Sequence, residues 1–460
     1  MISSDTKFEK MTSLEMRSTV VLSALYFMRM MGFFMILPVF SLYAQHLEGT
    51  TPALIGLAIG AYGLTQAILG IPFGWMSDRI GRRPVLVFGL IIFAMGSIVA
   101  ANADSIAGVI LGRVIQGAGA IASVIMAFAA DLIREEHRTK SMAAIGMSIG
   151  AAFMLAMVTG PIVAHWVGVR GIFWLTAGFA LGGIGLLFLL PGKVATRVHR
   201  DAGAIPAQLG EVLRNPELLR LNFGIFSLHV NVTAFFVVMP LVLRDHVGIP
   251  ASSHWEVYFP VMLLSVLAMV PFVIQAEKHR RMKIVFVGAI ILLSIAQACF
   301  AIFYDNFYIV MFLLLLFFTA FNLLEATLPS LVAKIAPISS KGTAMGMYST
   351  SQFLGAALGG TMGGWLYGAF GLLGVFLACA MVAFVWGMVA LTMQNPRYLA
   401  TQLIRLRPDC MGDIGHLVLK LTQVRGVAEA VVIAEEGVAY LKVDRKALDV
   451  DALSEFSATL

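Results

Sequence analysis

The sequence predicts an all-α membrane protein with twelve transmembrane helices in two six-helix halves, followed by a small α+β domain of ferredoxin-like order. Three observations carry this prediction. Apolar blocks are long enough to cross a bilayer, a polar stretch separates the first six from the last six, and the hydrophobic period changes near the C-terminus. Hydrophobic residues make up 59% of the chain and charged residues 13%, whereas soluble domains carry about 25% charge. The lipid bilayer is therefore the expected surrounding.

The spans follow from the length of each apolar block. A helix needs about 20 apolar residues to cross the hydrocarbon core. The predicted spans are Ser18–Tyr43, Ala53–Met76, Pro84–Ala101, Ala107–Ala130, Ser141–Val167, Ile172–Leu190, Leu221–Leu243, Trp255–Ala276, Ile284–Phe303, Phe307–Lys334, Gly342–Phe370 and Gly374–Met393. The predicted domains are an N-terminal half (1–191), a central loop (192–220), a C-terminal half (221–395) and a soluble domain (396–460).

Lysine and arginine are concentrated in alternate loops, whereas the opposite set of loops holds only Arg170 and Arg244. Because cytoplasmic loops carry the excess of positive charge, both termini and the central loop are predicted to be cytoplasmic. The net charge of +6 lies in these loops, so we expect no nucleic-acid partner. The polar first 17 residues predict no cleavable signal peptide.

The last 65 residues have the element order β-α-β-β-α. The predicted elements are a strand at Gln402–Arg407, a helix at Asp413–Val424, strands at Ala430–Ala434 and Val438–Val443, and a last helix that includes Leu453, Phe456 and Leu460. The loop after the first strand offers one cysteine, Cys410, so no metal site is expected there. This domain is expected to dock on the cytoplasmic face of the protein or to bind an unknown regulator.

The segment Gly74–Arg83 follows the second predicted span and reads GWMSDRIGRR. Its glycines permit a tight turn and close backbone approach. Asp78 is an anion that a helix N-terminus would attract, and the arginines can pair with a carboxylate or a lipid phosphate. This spacing of glycine, aspartate and arginine is more specific than the positive charge of an ordinary cytoplasmic loop. The residues that carry it are Gly74, Asp78, Arg79, Gly81, Arg82 and Arg83.

This segment resembles the signature loop of the major facilitator superfamily. In the fourth span, Arg113 and Gln116 resemble that family's Arg-x-x-Gln-Gly motif. In the fifth span, Gly160-Pro161, preceded by Gly150, resembles the motif of its proton-coupled drug antiporters. The chain departs from that motif after the proline, where other residues replace the usual paired glycines. The resemblance extends over the whole chain, tail included.

The resemblance implies roles for the signature residues. Asp78 would meet the N-terminus of the eleventh span near Gly342 and hold the outward-open state, and Asp131 would pair with Arg82. The corresponding segment of the second half, Glu277–Lys283, keeps the positive charge but lacks the glycines and the aspartate. Such a latch would therefore be one-sided.

Polar and ionisable groups inside membrane spans are costly to bury and usually functional. Glu325 is the carboxylate that the sequence places deep within a span, which makes it the first candidate for a proton carrier. His229 is the second candidate. Either residue can instead be a buried polar group bonded to a neighbouring helix. The predicted proton and substrate pathway comprises Arg29, Arg113, Gln116, His229, Asn231, Asn322, Glu325 and Gln352.

The sequence contains no Gly-x-x-x-x-Gly-Lys-Ser/Thr loop and no catalytic triad or metal-hydrolase motif. An ATP-driven pump and an enzyme are therefore not expected, nor is a cofactor or metal, and the proton is the expected coupling ion. The predicted function is proton-coupled export of small amphipathic compounds or drugs by alternating access in a bacterial inner membrane. Two alternatives stay open: a metabolite importer or facilitator on the same fold, and a transport-inactive membrane sensor that signals through the soluble domain.

Overall fold

The structure, a computed structural model, describes residues 11–191, 206–337, 340–395, 400–407, 413–433, 437–444 and 447–457. Residues 192–205 of the predicted central loop, Cys410 and Leu460 lie outside these ranges. The predicted domain boundaries at 191/192 and 395/396 fall beside such gaps and stay predictions.

The described part of the N-terminal half, residues 11–191, contains seven helices. They are α1 (Ser13–Phe34), α2 (Phe40–Ala44), α3 (Pro52–Ile80), α4 (Arg82–Ala101), α5 (Ile106–Ala118), α6 (Ala122–Leu132) and α7 (Glu135–Leu187). Three start at a side chain that caps the first turn: Thr12 with Glu15 in a reciprocal capping box, Thr51, and Ser105.

Two spans predicted as single helices are interrupted. The first breaks between α1 and α2 around Pro38, whose ring cannot continue an α-helix. The fourth breaks between α5 and α6 at residues 119–121. There an ideal Cβ on Gly119 would lie 2.4 Å from the carbonyl oxygen of Gly89, so the chain leaves the helical path at a point where α4 approaches closely.

The C-terminal half begins inside the predicted central loop. Its elements are α8 (Pro206–Arg214), α9 (Pro216–Leu241), a π-helical turn (Val242–His246), a short 3-10 turn (Ala251–Ser253), α10 (His254–Lys278), α11 (Met282–Phe300), α12 (Phe307–Ile335) and α13 (Lys341–Leu391). The last part of that connecting segment is therefore helical. Asn215 caps α9 by accepting hydrogen bonds from the amides of Glu217 and Leu218, and Pro216 favours the first helical position.

Helices α7 and α13 each contain two spans joined by a sharp turn. The turns are at Gly168, with φ of 70°, and Gly371, with φ of 64°, a left-handed conformation that favours glycine. Nine helical segments of the described residues are long and apolar enough to cross a membrane, and they include these two double spans. The remaining span is α1 with α2, where Arg17 and Arg29 lower the hydropathy. The predicted twelve-span architecture is thus confirmed.

The small domain, here called the tail domain (residues 400–457), consists of β1 (Ala400–Arg405), α14 (Ile414–Gln423), β2 (Val427–Ile433), β3 (Val438–Val443) and α15 (Val450–Ser454). Its sheet is antiparallel in the order β1-β3-β2. An isolated bridge joins Leu406 to Ser457, beside β1, where a ferredoxin-like unit has its fourth strand. The predicted small α+β domain is confirmed, although its last helix ends at Ser454, earlier than predicted.

The two halves pack against each other along α3 and α13, which run antiparallel. We call the end of the bundle beside the tail domain the tail face and the opposite end the far face. An ideal Cβ on Gly56 would lie 2.2 Å from the carbonyl oxygen of Gly360, and one on Gly60 would lie 2.4 Å from that of Ala357. These contacts lie between the middle of the bundle and the far face. Toward the tail face, a Cβ on Gly70 would meet open space.

Candidate functional site

The signature segment is helical almost throughout. Helix α3 continues to Ile80, and Gly81, with φ of 104°, is the single residue between α3 and α4. A left-handed glycine lets the chain reverse direction within one residue. The predicted loop is therefore shorter than the motif, and most motif side chains project from rigid helix ends. Gly74 lies against Ser123, whose Oγ is 3.5 Å from an ideal Cβ.

Arg82 is the buried centre of the signature segment. Its Nε donates to Asp131 Oδ2 at 2.8 Å, and its Nη1 donates to Ser77 Oγ at 2.7 Å and forms an ion pair with Asp78. The Arg82 and Asp131 side chains are 8% and 2% exposed. The pair that the resemblance implies is present, and it ties the start of α4 to the end of α6 at the tail face.

Asp78, Arg79 and Arg83 lie at the surface of this cluster. The Asp78 side chain is 47% exposed and is paired with Arg82. Gly342 lies in the first turn of α13, and no hydrogen bond from that turn to the Asp78 carboxylate occurs among the described residues. Arg79 stacks on the ring of Trp75 at 3.7 Å, and Arg83 lies 4.6 Å from the ring of Phe188. The latch between Asp78 and α13 stays a prediction.

Arg29 lies at the break between α5 and α6. One of its terminal nitrogens, Nη2, donates to the Gln66 side chain and, at 3.2 Å, to the carbonyl oxygen of Gly119. The residue is 2% exposed, and its Nε and Nη1 have no hydrogen-bond partner. A guanidinium group has five N–H donors, so this side chain is far from satisfied.

Arg113 and Gln116 form a second polar group in the same half. Arg113 Nη1 donates to Gln116 Oε1 at 3.0 Å, and Gln116 Nε2 donates to Ser97 Oγ at 2.7 Å. Arg113 Nε donates to the carbonyl oxygen of Ala58 at 3.3 Å, and its Nη2 has no partner. The guanidinium carbon lies 4.9 Å from the ring centre of Tyr62. Both predicted residues are therefore in contact, and both are buried.

Three predicted pathway residues meet in the C-terminal half. Gln352 Nε2 is 2.9 Å from His229 Nε2 and 3.3 Å from Glu325 Oε1. His229 Nδ1 lies 3.2 Å from the carbonyl oxygen of Ile225, so Nδ1 carries the proton and Nε2 accepts from Gln352. The Gln352 amide thus bridges a histidine of α9 and a glutamate of α12.

The two predicted asparagines have other partners. Asn231 donates to the carbonyl oxygen of Ser227 and accepts from Gln297 at 3.3 Å. Asn322 donates to Ser265 Oγ at 2.9 Å. Each asparagine bonds to a neighbouring helix, α11 and α10 respectively, so neither belongs to the Gln352 cluster.

The antiporter-type motif lies along α7. An ideal Cβ on Gly160 would lie 2.5 Å from the carbonyl oxygen of Met35, so this glycine allows α7 to contact the break that follows α1. Pro161 lies inside the helix without interrupting it. Gly150, by contrast, has open space where a Cβ would lie. Close packing therefore explains Gly160 but not Gly150.

A polar contact joins the halves at the far face. Arg244, in the π-helical turn, donates to Gln45 Oε1 of the other half at 3.0 Å and to Asp245 Oδ1 at 2.6 Å. The Arg244 hydrogen bond lowers the pKa of the Asp245 carboxyl below its ordinary value. Gln45 also lines a cavity of about 140 Å³ together with Ser41 and Tyr367.

The tail domain contacts the C-terminal half at the end of α12. Lys442 of β3 donates to the carbonyl oxygen of Ala336 at 2.5 Å and to that of Lys334 at 3.5 Å. These carbonyls are at the C-terminus of a helix, where the dipole favours a cation. Arg280, between α10 and α11, pairs with Asp444 at 3.2 Å.

Sequence reasoning missed several partners of the predicted residues. Gln66 accepts a hydrogen bond from Arg29, Ser97 accepts one from Gln116, Gln297 donates to Asn231 and Ser265 accepts from Asn322. A polar side chain in the middle of an apolar span was the available signal. Such a side chain does not indicate which neighbouring residue it contacts, because that depends on how the helices pack.

A two-halved bundle with twelve spans and a buried polar centre defines the class of a membrane transporter. The sequence profile of the Major Facilitator Superfamily matches residues 22–276 and 221–407. The chain therefore belongs to the major facilitator superfamily and is a transporter, not an enzyme.

The chain is also similar to individual proteins over most of its length. The chain is 47% identical over 438 residues to the inner membrane transport protein YajR of Escherichia coli, covering 95% of this chain and 96% of YajR. It is 27% identical to the multidrug resistance protein MdtH of Proteus mirabilis, over 73% of this chain and 84% of that protein. A crystal structure of a bacterial homologue of the human lysosomal transporter Spinster has the same fold, with a TM-score of 0.69 at 14% identity, over 83% of this chain and 97% of that one.

Proposed function

We propose that the protein is a proton-coupled exporter of small amphipathic compounds, working by alternating access in a bacterial inner membrane with both termini in the cytoplasm. The observation that carries this proposal is the hydrogen-bonded cluster of His229, which is buried, with Glu325 and Gln352, which are partly buried. It contains two titratable side chains in the middle of the bundle, on helices α9, α12 and α13. The similarity to YajR, an inner membrane transport protein, and to MdtH, a multidrug resistance protein, supports the proposed location and kind of substrate.

The hydrogen bonds of the cluster supply a way to couple protonation to helix position. One Gln352 amide group serves both His229 Nε2 and Glu325 Oε1 as acceptors. A proton on His229 Nε2 removes one acceptor, and a proton on Glu325 Oε1 removes the other. Either event forces the Gln352 side chain to find a new partner, which changes how α13 is held against α9 and α12.

The packing of the halves supports alternating access. The halves touch between the middle and the far face, where Gly56 meets Gly360 and Arg244 meets Gln45. With the tail face in the cytoplasm, this arrangement is an inward-facing state. Asp78 is then paired with Arg82 and engages the first turn of α13 only in the outward-facing state, where the helix dipole attracts it.

The tail domain is proposed to act on the same conformational change. Lys442 holds the carbonyl end of α12, and the chain continues from there into α13, which starts at Lys341. A domain that restrains this connection restrains the N-terminus of α13, the element that Asp78 would engage.

Proton exchange in proteoliposomes tests the transport proposal. The purified protein is reconstituted with a pH-sensitive dye inside, and a panel of amphipathic compounds is added from outside. We expect a subset of the compounds to drive a proton flux that empty liposomes lack. Compound uptake that is independent of any pH gradient would instead indicate a facilitator.

Orientation is tested separately with reporter fusions. A reporter at the C-terminal end of the chain should be active in the cytoplasm, and one inserted after His246 should be active outside it. Both reporters in one compartment would contradict the orientation.

A further inference from the structure

Two buried cations in the N-terminal half have no anionic partner. Arg29 and Arg113 are 2% and 1% exposed, and neither forms an ion pair with a carboxylate among the described residues. Three of their nitrogens, Arg29 Nε and Nη1 and Arg113 Nη2, have no hydrogen-bond partner. A buried charge without a partner is strongly unfavourable. Two such buried cations in one half indicate a site for an anion that the described protein residues do not provide.

The backbone around Arg29 increases the attraction for an anion. Its Nη2 is bonded to Gly119, in the break that precedes α6. Helix α6 begins at Ala122 inside the bundle, and Ile121 makes no side-chain cap to its first turn. The N-terminus of a helix carries a partial positive charge, and interrupted helices inside membrane transporters form ligand sites of this kind. The two guanidinium groups and this helix end are all positive.

Aromatic rings surround the same charges. Arg113 lies 4.9 Å from the ring centre of Tyr62 and 5.6 Å from that of Phe33, and Arg29 lies 6.0 Å from that of Phe93. The rings of Tyr62 and Phe93 are 6.3 Å apart. Phe353 of the other half is 6.2 Å from Tyr62. An anion with an aromatic body would therefore contact both halves.

We propose that Arg29 and Arg113 bind the charged group of the substrate, and that the exported compounds are amphipathic organic anions with a carboxylate or sulfonate beside an aromatic body. This inference rests on the proposed transport function and names its substrate class. The arginines are enclosed in this structure, so the anion reaches them when the halves move apart at the Tyr62–Phe353 contact.

Ligands that differ only in charge test the substrate class. The purified protein is heated with 1-naphthoate or with 1-naphthylmethylammonium, and its unfolding temperature is measured by intrinsic fluorescence. A ligand that binds the folded state raises this temperature with concentration. We expect the anion to stabilise the protein and the cation to have no effect. Equal stabilisation by both ligands, or by neither, would overturn the proposal.

Variants locate the site. Arg29→Gln and Arg113→Gln should each weaken naphthoate binding by roughly 10- to 100-fold, the range for losing a charge-assisted hydrogen bond. Arg17→Gln is the matched control, because Arg17 is an exposed residue of the same helix as Arg29. Arg113→Lys keeps the charge and should retain part of the affinity if a glutamine variant fails to fold. Wild-type affinity in well-folded glutamine variants would place the anion elsewhere.

Transport assays separate this inference from the proposed function. If the cation is exported in exchange for protons and the anion is not, the anion site is wrong while proton-coupled export stands. If naphthoate binds through the arginines but moves without proton exchange, the anion site stands and proton coupling is wrong.

Discussion

Glu325 uses one carboxylate oxygen, Oε1, to accept from Gln352, while Oε2 is buried without a hydrogen-bond partner. If the Glu325 carboxylate carries the coupled proton, Glu325→Gln should abolish substrate-induced proton release, because a side-chain amide does not bind and release a proton near neutral pH. The measurement is proton release on substrate addition in detergent. His229→Gln should reduce the stoichiometry if the histidine shares the role.

Glu256→Gln is the control for this experiment, since Glu256 is an exposed glutamate near the far face. It should behave like the wild type. Wild-type proton release in Glu325→Gln would make Glu325 a structural residue. Wild-type proton release in both Glu325→Gln and His229→Gln would make Asp78 and Asp131 the next candidates for the proton carrier.

Asp78 is half exposed, whereas its partner Arg82 is also held by Asp131. Asp78→Asn should therefore leave folding nearly unchanged and impair transport, since a carboxylate at a helix N-terminus contributes only about 0.3–2 kcal/mol. That amount is enough to shift a balance between two conformations. The measurement is cysteine accessibility from each side of the membrane, together with transport. An unchanged ratio of inward- to outward-facing protein would rule out the latch.

At the scale of the element, the seam between α3 and α13 depends on residues without side chains. An ideal Cβ on Gly60 would lie 2.4 Å from the carbonyl oxygen of Ala357. Gly60→Val should therefore push the helices apart and open the far face. Spin labels at Asn102 and Tyr308, exposed positions of opposite halves near that face, should report longer distances.

The control for the seam is Gly70→Val in the same helix, because a Cβ on Gly70 meets open space. This variant should keep the wild-type distance. If Gly60→Val also kept it, the seam would not determine which face is closed.

At the scale of the whole molecule, Lys442 and Asp444 are two described residues through which the tail domain contacts the bundle. Lys442→Met should release the carbonyl end of α12, because the hydrocarbon part of the side chain is kept while the donor is lost. The expected cost is about 1–2 kcal/mol, or roughly tenfold faster local opening. Hydrogen exchange of the peptide that includes Ala336 measures it. Lys420→Met, at an exposed position of α14, is the control, and equal exchange in both variants would contradict the docking role.

The number of spans, the two halves and the tail domain could be predicted from the sequence, because bilayer thickness and the periods of helix and strand act on residues close together in the chain. The same locality explains the errors. Gly119 interrupts the predicted fourth span at a point where the neighbouring residues are apolar, and α4, which is distant in the chain, packs against it there. The polar segment before Pro216 contains helix α8, which its polarity alone did not indicate.

The sequence by itself determined that Arg29, Arg113, His229, Glu325 and Gln352 lie inside spans, since their apolar neighbours fix their depth. Only the tertiary structure decided their partners. It joined His229, Gln352 and Glu325 through one amide group and left Arg29 and Arg113 without an anion. The physical reason is that burial of an apolar segment depends on its composition, whereas a hydrogen bond depends on helices distant in the chain approaching within about 3 Å.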